Sequence, residues 1–194
     1  MTSKTAVTSA PILPVLAERW SPRSYDANYE LADQDLLSIL EAARWAASAN
    51  NVQPWRFSVA KRGTKLFGTI AENLGGFNAA WSPNAAAYVV VSAFNNDNVK
   101  EHGSTTQFDA GLSTAQLVIQ AQALGIHAHV MGGIEHAALQ TALDYPKNLD
   151  VLVVVTLGKL ASADNLDPTA RDRELATRTR LELDEIVLHG NPSK

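Results

Sequence analysis

Apolar and polar positions along this chain switch between two periods. Across residues 33–45 the apolar positions Leu36, Leu37, Leu40 and Ala43 recur at three- and four-residue spacing, and Asp33 and Asp35 open the segment. That pattern predicts an amphipathic helix whose acidic start complements the helix dipole. Pro54 forbids its continuation, and the alternation over 55–60 predicts a strand. Residues 12–18 read as a short helix, and 64–74 as a helix closed by Gly75-Gly76. Tyr88-Val89-Val90-Val91 marks 86–94 as a buried strand. A long helix over 105–124 carries Leu112, Gln116, Ile119 and Ala123 on one side, with Gly125 as its stop. Then come a strand (126–131), a helix (135–143) and a very apolar strand (151–157). Residues 164–177 read as a long arm with little core of its own, and 183–188 as a last strand or helical turn. Helices and strands alternate without strict βαβ spacing. The pattern therefore predicts an α/β (α+β) fold with helices covering both faces of a mixed sheet.

Composition narrows the chemistry. The chain has 194 residues, 46% of them hydrophobic and 19% charged, enough for one domain with a substantial core. No linker or internal repeat divides it. Residues 1–10 are small and polar and are expected to be a flexible N-terminus, with one domain over 11–194 whose C-terminal arm begins near 164. A net charge of -4 argues against nucleic acid as a partner. The sequence has no Cys, which excludes disulfides, thiolate catalysis and Cys-held metal, and fits a reducing cytoplasm. No apolar run approaches the roughly 20 residues that span a bilayer, and the first residues lack the apolar core of a signal peptide.

Two Arg-rich clusters lie at opposite ends of the chain: Arg19-Trp20-Ser21-Pro22-Arg23 and Arg178-Thr179-Arg180. In extended backbone Arg19, Ser21 and Arg23 point the same way, as do Arg178 and Arg180. Forked guanidinium donors suit a phosphate. Taken singly, each cluster also fits a solvated surface laced with ion pairs. Between them stand Ser48, Asn50, Asn51 and Gln53, which fit a plain turn or hydrogen bonding to a flat, polar-edged ligand. Met131-Gly132-Gly133 ends a strand before a helix, either as a simple turn or where a ligand touches backbone. His127 and His129 share a strand face, but no acidic or Cys partner stands at ligand spacing, so they read as structural and no metal site is expected. P-loop, nucleophile-elbow and zincin motifs are absent from the sequence.

In order, these segments resemble the nitroreductase family of FMN-dependent oxidoreductases, over nearly the whole chain from about Ile12 to Val187. The most specific stretch is Glu41-Ala42-Ala43-Arg44-Trp45-Ala46-Ala47-Ser48-Ala49-Asn50-Asn51-Val52-Gln53-Pro54-Trp55. Arg19-Trp20-Ser21-Pro22-Arg23, Asp109-Ala110-Gly111, Gly125, Leu157-Gly158 and Arg178-x-Arg180-x-x-Leu183-x-Glu185-Ile186-Val187 also fit. The resemblance implies a three-layer sandwich, with a mostly antiparallel central sheet between helices, working as an intertwined homodimer with FMN at the subunit interface. It implies that Arg19, Trp20, Ser21, Arg178 and Arg180 surround the phosphate and ribityl chain and that Arg23 lies near the pyrimidine edge. Ala47, Ser48, Ala49 and Asn51 would come from the partner, with Gln53 supporting them. Asn78 would reach the flavin, and Gly132 and Gly133 would offer backbone near its N5. No catalytic side chain is implied beyond the electrostatic support of Arg23 and the Gly133 backbone. The implied activity is NAD(P)H-dependent reduction of nitroaromatics, quinones or similar small acceptors by a ping-pong mechanism, with NADH or NADPH as co-substrate. An FMN carrier or sensor with little turnover, its acceptor face blocked by Trp81 or Phe77, and a specialised flavin enzyme on the same fold remain alternatives. Ala47 replaces the family's Pro, and Asn78 lacks a following Lys.

Overall fold

The structure, a computed structural model, describes residues 4–95, 105–190 and 192. Residues 1–3 of the expected flexible start, and 191, 193 and 194 of the expected arm, lie outside the described residues. Four strands form one sheet in the order β1-β2-β4-β3: β1 (Trp55–Lys61), β2 (Ala87–Phe94), β3 (His127–Met131) and β4 (Leu149–Gly158). All three pairings are antiparallel. Among the described strands, the antiparallel part of the expected sheet is therefore all of it. The two most apolar strands, β2 and β4, occupy the centre, where both faces are covered and alternation has no use.

The pleat divides the core in two. Tyr88 and Val90 of β2 point to one side with Val154, Phe67, Ile70, Trp81 and Leu139. Val89 and Val91 point to the other with Leu36, Ile39, Leu117, Ala121 and Val155. The first layer is built by α3 (Lys65–Glu72), α4 (Gly76–Trp81) and α6 (His136–Ala142), the second by α2 (Asp33–Arg44) and α5 (Thr105–Ala123). The result is helices, sheet, helices. Val89, Val90 and Val91 are fully buried, each contributing about 1.5–3 kcal/mol of transfer free energy. Local signals set the helix ends. Thr64 accepts from the Phe67 N–H at the start of α3, and Gly125, at φ +65, follows α5 in the left-handed conformation.

Two helices stand where the sequence pattern showed none. Gly75-Gly76 does close α3, but α4 starts at Gly76 itself. The arm contains α7 (Pro168–Leu175), capped by Asp167, whose carboxylate accepts from the Thr169 and Ala170 N–H groups. The short helices α1 (Pro14–Glu18) and α8 (Leu183–Ile186) complete the described elements. Near the start of the chain the Ala6 N–H donates to the Ala17 carbonyl at 2.9 Å.

Candidate functional site

The two Arg clusters meet. Arg19 is the last residue of the α1 turn, and extended backbone carries the chain on to Tyr25, which bridges Leu160 just past the end of β4. This strap therefore lies beside the C-terminal end of β4. From the other end of the chain, α7 leads through Ala176 to Arg178 and Arg180. Arg19, Trp20, Ser21, Arg23, Arg173, Arg178 and Arg180 line one cavity of about 250 Å³, together with Lys4, Ala176 and Thr177. None of these lining residues is acidic. The crowding is electrostatically visible: burial lowers the pKa of Arg19, and the neighbouring charges of Arg178 and Arg180 lower it further. Like charges gathered without a lining counter-charge make a receptor for an anion.

The cations are not equivalent. Arg178 donates from Nη1 to the Lys4 and Ala17 carbonyls, so much of its guanidinium ties the chain's beginning to its end. Arg19 spends one donor on a long contact, 3.4 Å, with Ser21 Oγ. Among the described residues Arg180 bonds its neighbour's carbonyl, Thr179 O, at 2.7 Å, and it is exposed. Arg23 and Arg173 both lie against the Phe77 ring, 5.8 and 4.2 Å from its centroid. Burial is the main cause lowering the Arg23 pKa, and its Nε is buried with no hydrogen-bond partner. A buried charged donor without an acceptor is costly.

Beside the cluster, Gly133 O accepts from the Gly75 N–H and from Asn78 Nδ2, both at 2.9 Å. Asn78 thus fixes the Gly132-Gly133 turn. A Cβ on Gly132 would meet nothing within 4 Å, whereas one on Gly75 would stand 2.8 Å from Gly133 O. The steric demand for glycine therefore falls on Gly75, and Gly132 presents bare backbone to open space. Trp81 is 1% exposed, packed near His129 (4.7 Å) and Tyr25 (6.3 Å). It is a core residue and cannot cover a ligand face, which leaves Phe77 alone of the two expected blockers.

The Ala47–Gln53 region is not part of this cavity. It forms an exposed turn over Ala49–Asn51 in which Asn50, Asn51 and Gln53 all have positive φ, at 50, 55 and 51°. Holding non-glycine residues there costs about 1–3 kcal/mol each. Among the bonds that hold it are Gln53 N–H to Ser48 Oγ, Gln53 Nε2 to Asn51 O, and Ala49 N–H to Asp109 Oδ2, at 3.0, 3.0 and 3.1 Å. Asp109 is a buried acid on α5. Its support of this turn, and the positions of Lys4 and Arg173 at the cavity, were not read from the sequence. The available signal for Asp109 was a lone acid in the long helix, just before Ala110-Gly111; Lys4 and Arg173 had none.

His129 donates from Nδ1 to Pro22 O at 2.9 Å and so supports the strap. Burial drives its pKa down to about 4, against the pull of that hydrogen bond and with help from Arg23 and Arg19. Among the described residues no group of three or more His, Asp or Glu is placed to hold a metal, and no helix is long and apolar enough to cross a membrane.

The chain is similar to known proteins over most of its length. A solved oxidoreductase containing FMN is 33% identical, covers 99% of this chain and 98% of its own, and superposes with a TM-score of 0.89. An Archaeoglobus fulgidus protein, provisionally named an NADH dehydrogenase/NAD(P)H nitroreductase, is 31% identical over 150 residues, which is 75% of this chain and 83% of that one. The oxygen-insensitive NADPH nitroreductase of Helicobacter pylori is 30% identical over 129 residues, 65% of this chain and 60% of its own. The profile of the nitroreductase family matches residues 16–75 and 63–159, from the strap through the last strand of the sheet, and the chain belongs to that family.

Proposed function

We propose that this chain is an FMN-dependent NAD(P)H oxidoreductase that reduces small acceptors such as nitroaromatics or quinones. The observation that carries the reading is the cavity in which Arg19, Ser21, Arg23, Arg178 and Arg180 converge from opposite ends of the chain with no acidic lining residue. The names of its relatives point the same way: one contains FMN, and others are NAD(P)H nitroreductases. The donor set fits the cofactor. A terminal phosphate satisfies forked guanidinium donors, and the partnerless Arg23 Nε has use for an acceptor.

Bound FMN supplies two-electron chemistry between a reduced nicotinamide and an acceptor; the protein supplies position and electrostatics. Arg19, Ser21 and Arg180 hold the phosphate, and Arg178 holds the two termini around it while keeping donors free. Trp20 closes one wall of the cavity. Arg23 offers a fixed positive charge to the pyrimidine edge, the kind of preorganised charge that stabilises a developing anion. Gly132 leaves room for close approach, and Asn78 fixes that backbone through Gly133 O. Ala47, Ser48, Ala49, Asn51 and Gln53 are assigned to the partner's cofactor in a homodimer. No side chain of the chain is assigned proton transfer. Donor and acceptor use one site in turn, which gives ping-pong kinetics.

The test is spectroscopic. The purified protein should be yellow, its heat-released cofactor should chromatograph as FMN, and anaerobic NADH or NADPH should bleach the flavin absorbance. A colourless protein that cannot be reconstituted with FMN would sink the reading. A yellow protein that neither pyridine nucleotide bleaches would make it a carrier or sensor.

A further inference from the structure

Glu174 has no part in the function as stated, yet it bonds the backbone of Arg23, which lines the Arg cavity, and itself lines a neighbouring cavity that shares Lys4 and Trp20 with it. It is 4% exposed on α7. Its two carboxylate oxygens accept from consecutive backbone N–H groups of the strap, Arg23 at 2.7 Å and Ser24 at 3.2 Å. A chain separation of about 150 residues is bridged by this one side chain. The same short stretch of arm is fixed three times more: Lys4 Nζ donates to Ala176 O at 2.6 Å, and Arg178 donates to Lys4 O and, at 2.8 Å, to Ala17 O.

We infer that Glu174 is a positioning residue of the phosphate site, clamping the strap that carries Arg19, Ser21 and Arg23 to the arm that carries Arg178 and Arg180. The inference rests on the FMN reading above. The geometry supplies the reason. Both Arg clusters are on irregular backbone, and irregular backbone is located only by what holds it. Two adjacent N–H groups at a part-buried place need an acceptor, and a carboxylate gives both a charge-assisted bond. Burial raises the Glu174 pKa, opposed by those two N–H groups and by the charges of Arg23 and Lys4. An acid beneath an anion site is otherwise unfavourable to the ligand, which makes its presence there informative.

That conflict gives the experiment its sign. Glu174→Gln keeps the shape, removes a negative charge next to the site, and turns one acceptor into a donor facing a backbone N–H. If Glu174 acts on the ligand only through its charge, the variant binds FMN more tightly than wild type. If it positions the strap, the variant binds FMN about tenfold or more weakly, the loss of one charge-assisted hydrogen bond, and the loss for riboflavin, which has no phosphate, is smaller. Both affinities are read by flavin fluorescence quenching on apoprotein. Hydrogen exchange on the same samples should show the Arg23 and Ser24 amides slow in wild type and fast in the variant, with protection of the sheet intact. FMN affinity equal to or above wild type overturns the inference. So does equal loss for both flavins accompanied by loss of protection throughout the sheet, which is a folding defect. Wild-type apoprotein that takes up no FMN overturns the underlying reading instead, and the inference with it.

Discussion

At the scale of single residues, the cations divide into those that hold the protein together and those that remain for a ligand. We assign Arg180, which is exposed and bonds its neighbour's carbonyl, to the second kind. Its replacement by Ala removes a charge-assisted hydrogen bond worth about 1.5–3 kcal/mol. FMN affinity should fall by about one to two orders of magnitude, with riboflavin affinity little changed. Equal weakening of both, measured by fluorescence titration, would contradict a phosphate role. His129 makes a pH prediction. Its folded pKa of about 4 lies below the ordinary value near 6.5. The unfolded chain therefore binds the proton first as pH falls, and stability rises with pH through that window. Acidification from about pH 6.5 to about pH 4 should remove up to roughly 3 kcal/mol through this residue. His129→Gln should lack that part of the decline in urea unfolding; parallel curves for the two proteins would refute the assignment. Glu174, with a raised pKa, contributes in the opposite sense, so the difference between the proteins is the quantity to measure.

Among the elements, α7 shows how a helix with little core is made. Ala170 and Glu174 are its buried residues, and its stability rests on its start. Asp167 caps it and Pro168 takes the first position, where a missing N–H costs nothing. Asp167→Ala should lower stability by about 1 kcal/mol and, because α7 delivers Arg178 and Arg180, lower FMN affinity as well. An unchanged urea midpoint would show that tertiary contacts alone hold the helix. The Asp-Pro start signal was present in the sequence, but the segment's polarity concealed it. α4 was hidden for another reason: Gly75-Gly76 reads as a terminator, and six residues are too few to display a period. The strands and the long helices carried clear patterns and matched the structure to within a few residues, since burial on one or both faces dictates their composition.

For the whole molecule, the turn over Ala49–Asn51 is exposed, strained and outside the Arg cavity of its own chain. Strain of this kind persists where function uses it. If the turn serves the cavity of a second copy, the active unit is a homodimer with composite sites. Light scattering should then give twice the 20.8 kDa chain mass. Mixing two variants with weakened FMN sites, Arg180→Ala and Asn51→Ala, under subunit exchange at limiting FMN should raise activity above that of either alone, because one of the two sites in the mixed dimer carries neither defect. A fully active monomer that retains FMN would exclude this arrangement.

The sequence alone determined which segments are buried strands and amphipathic helices, because periodicity and burial are local properties of the chain. It also determined, through ordered motifs, the family. It could not say that Arg178 ties two termini together while Arg180 stays open, that Trp81 is core, or that Glu174 bonds the strap backbone. Those outcomes depend on which irregular segments lie side by side, and backbone hydrogen bonds between distant loops leave no period and need no particular partner side chain. Tertiary structure alone decided them, by bringing residues about 150 positions apart within hydrogen-bonding distance.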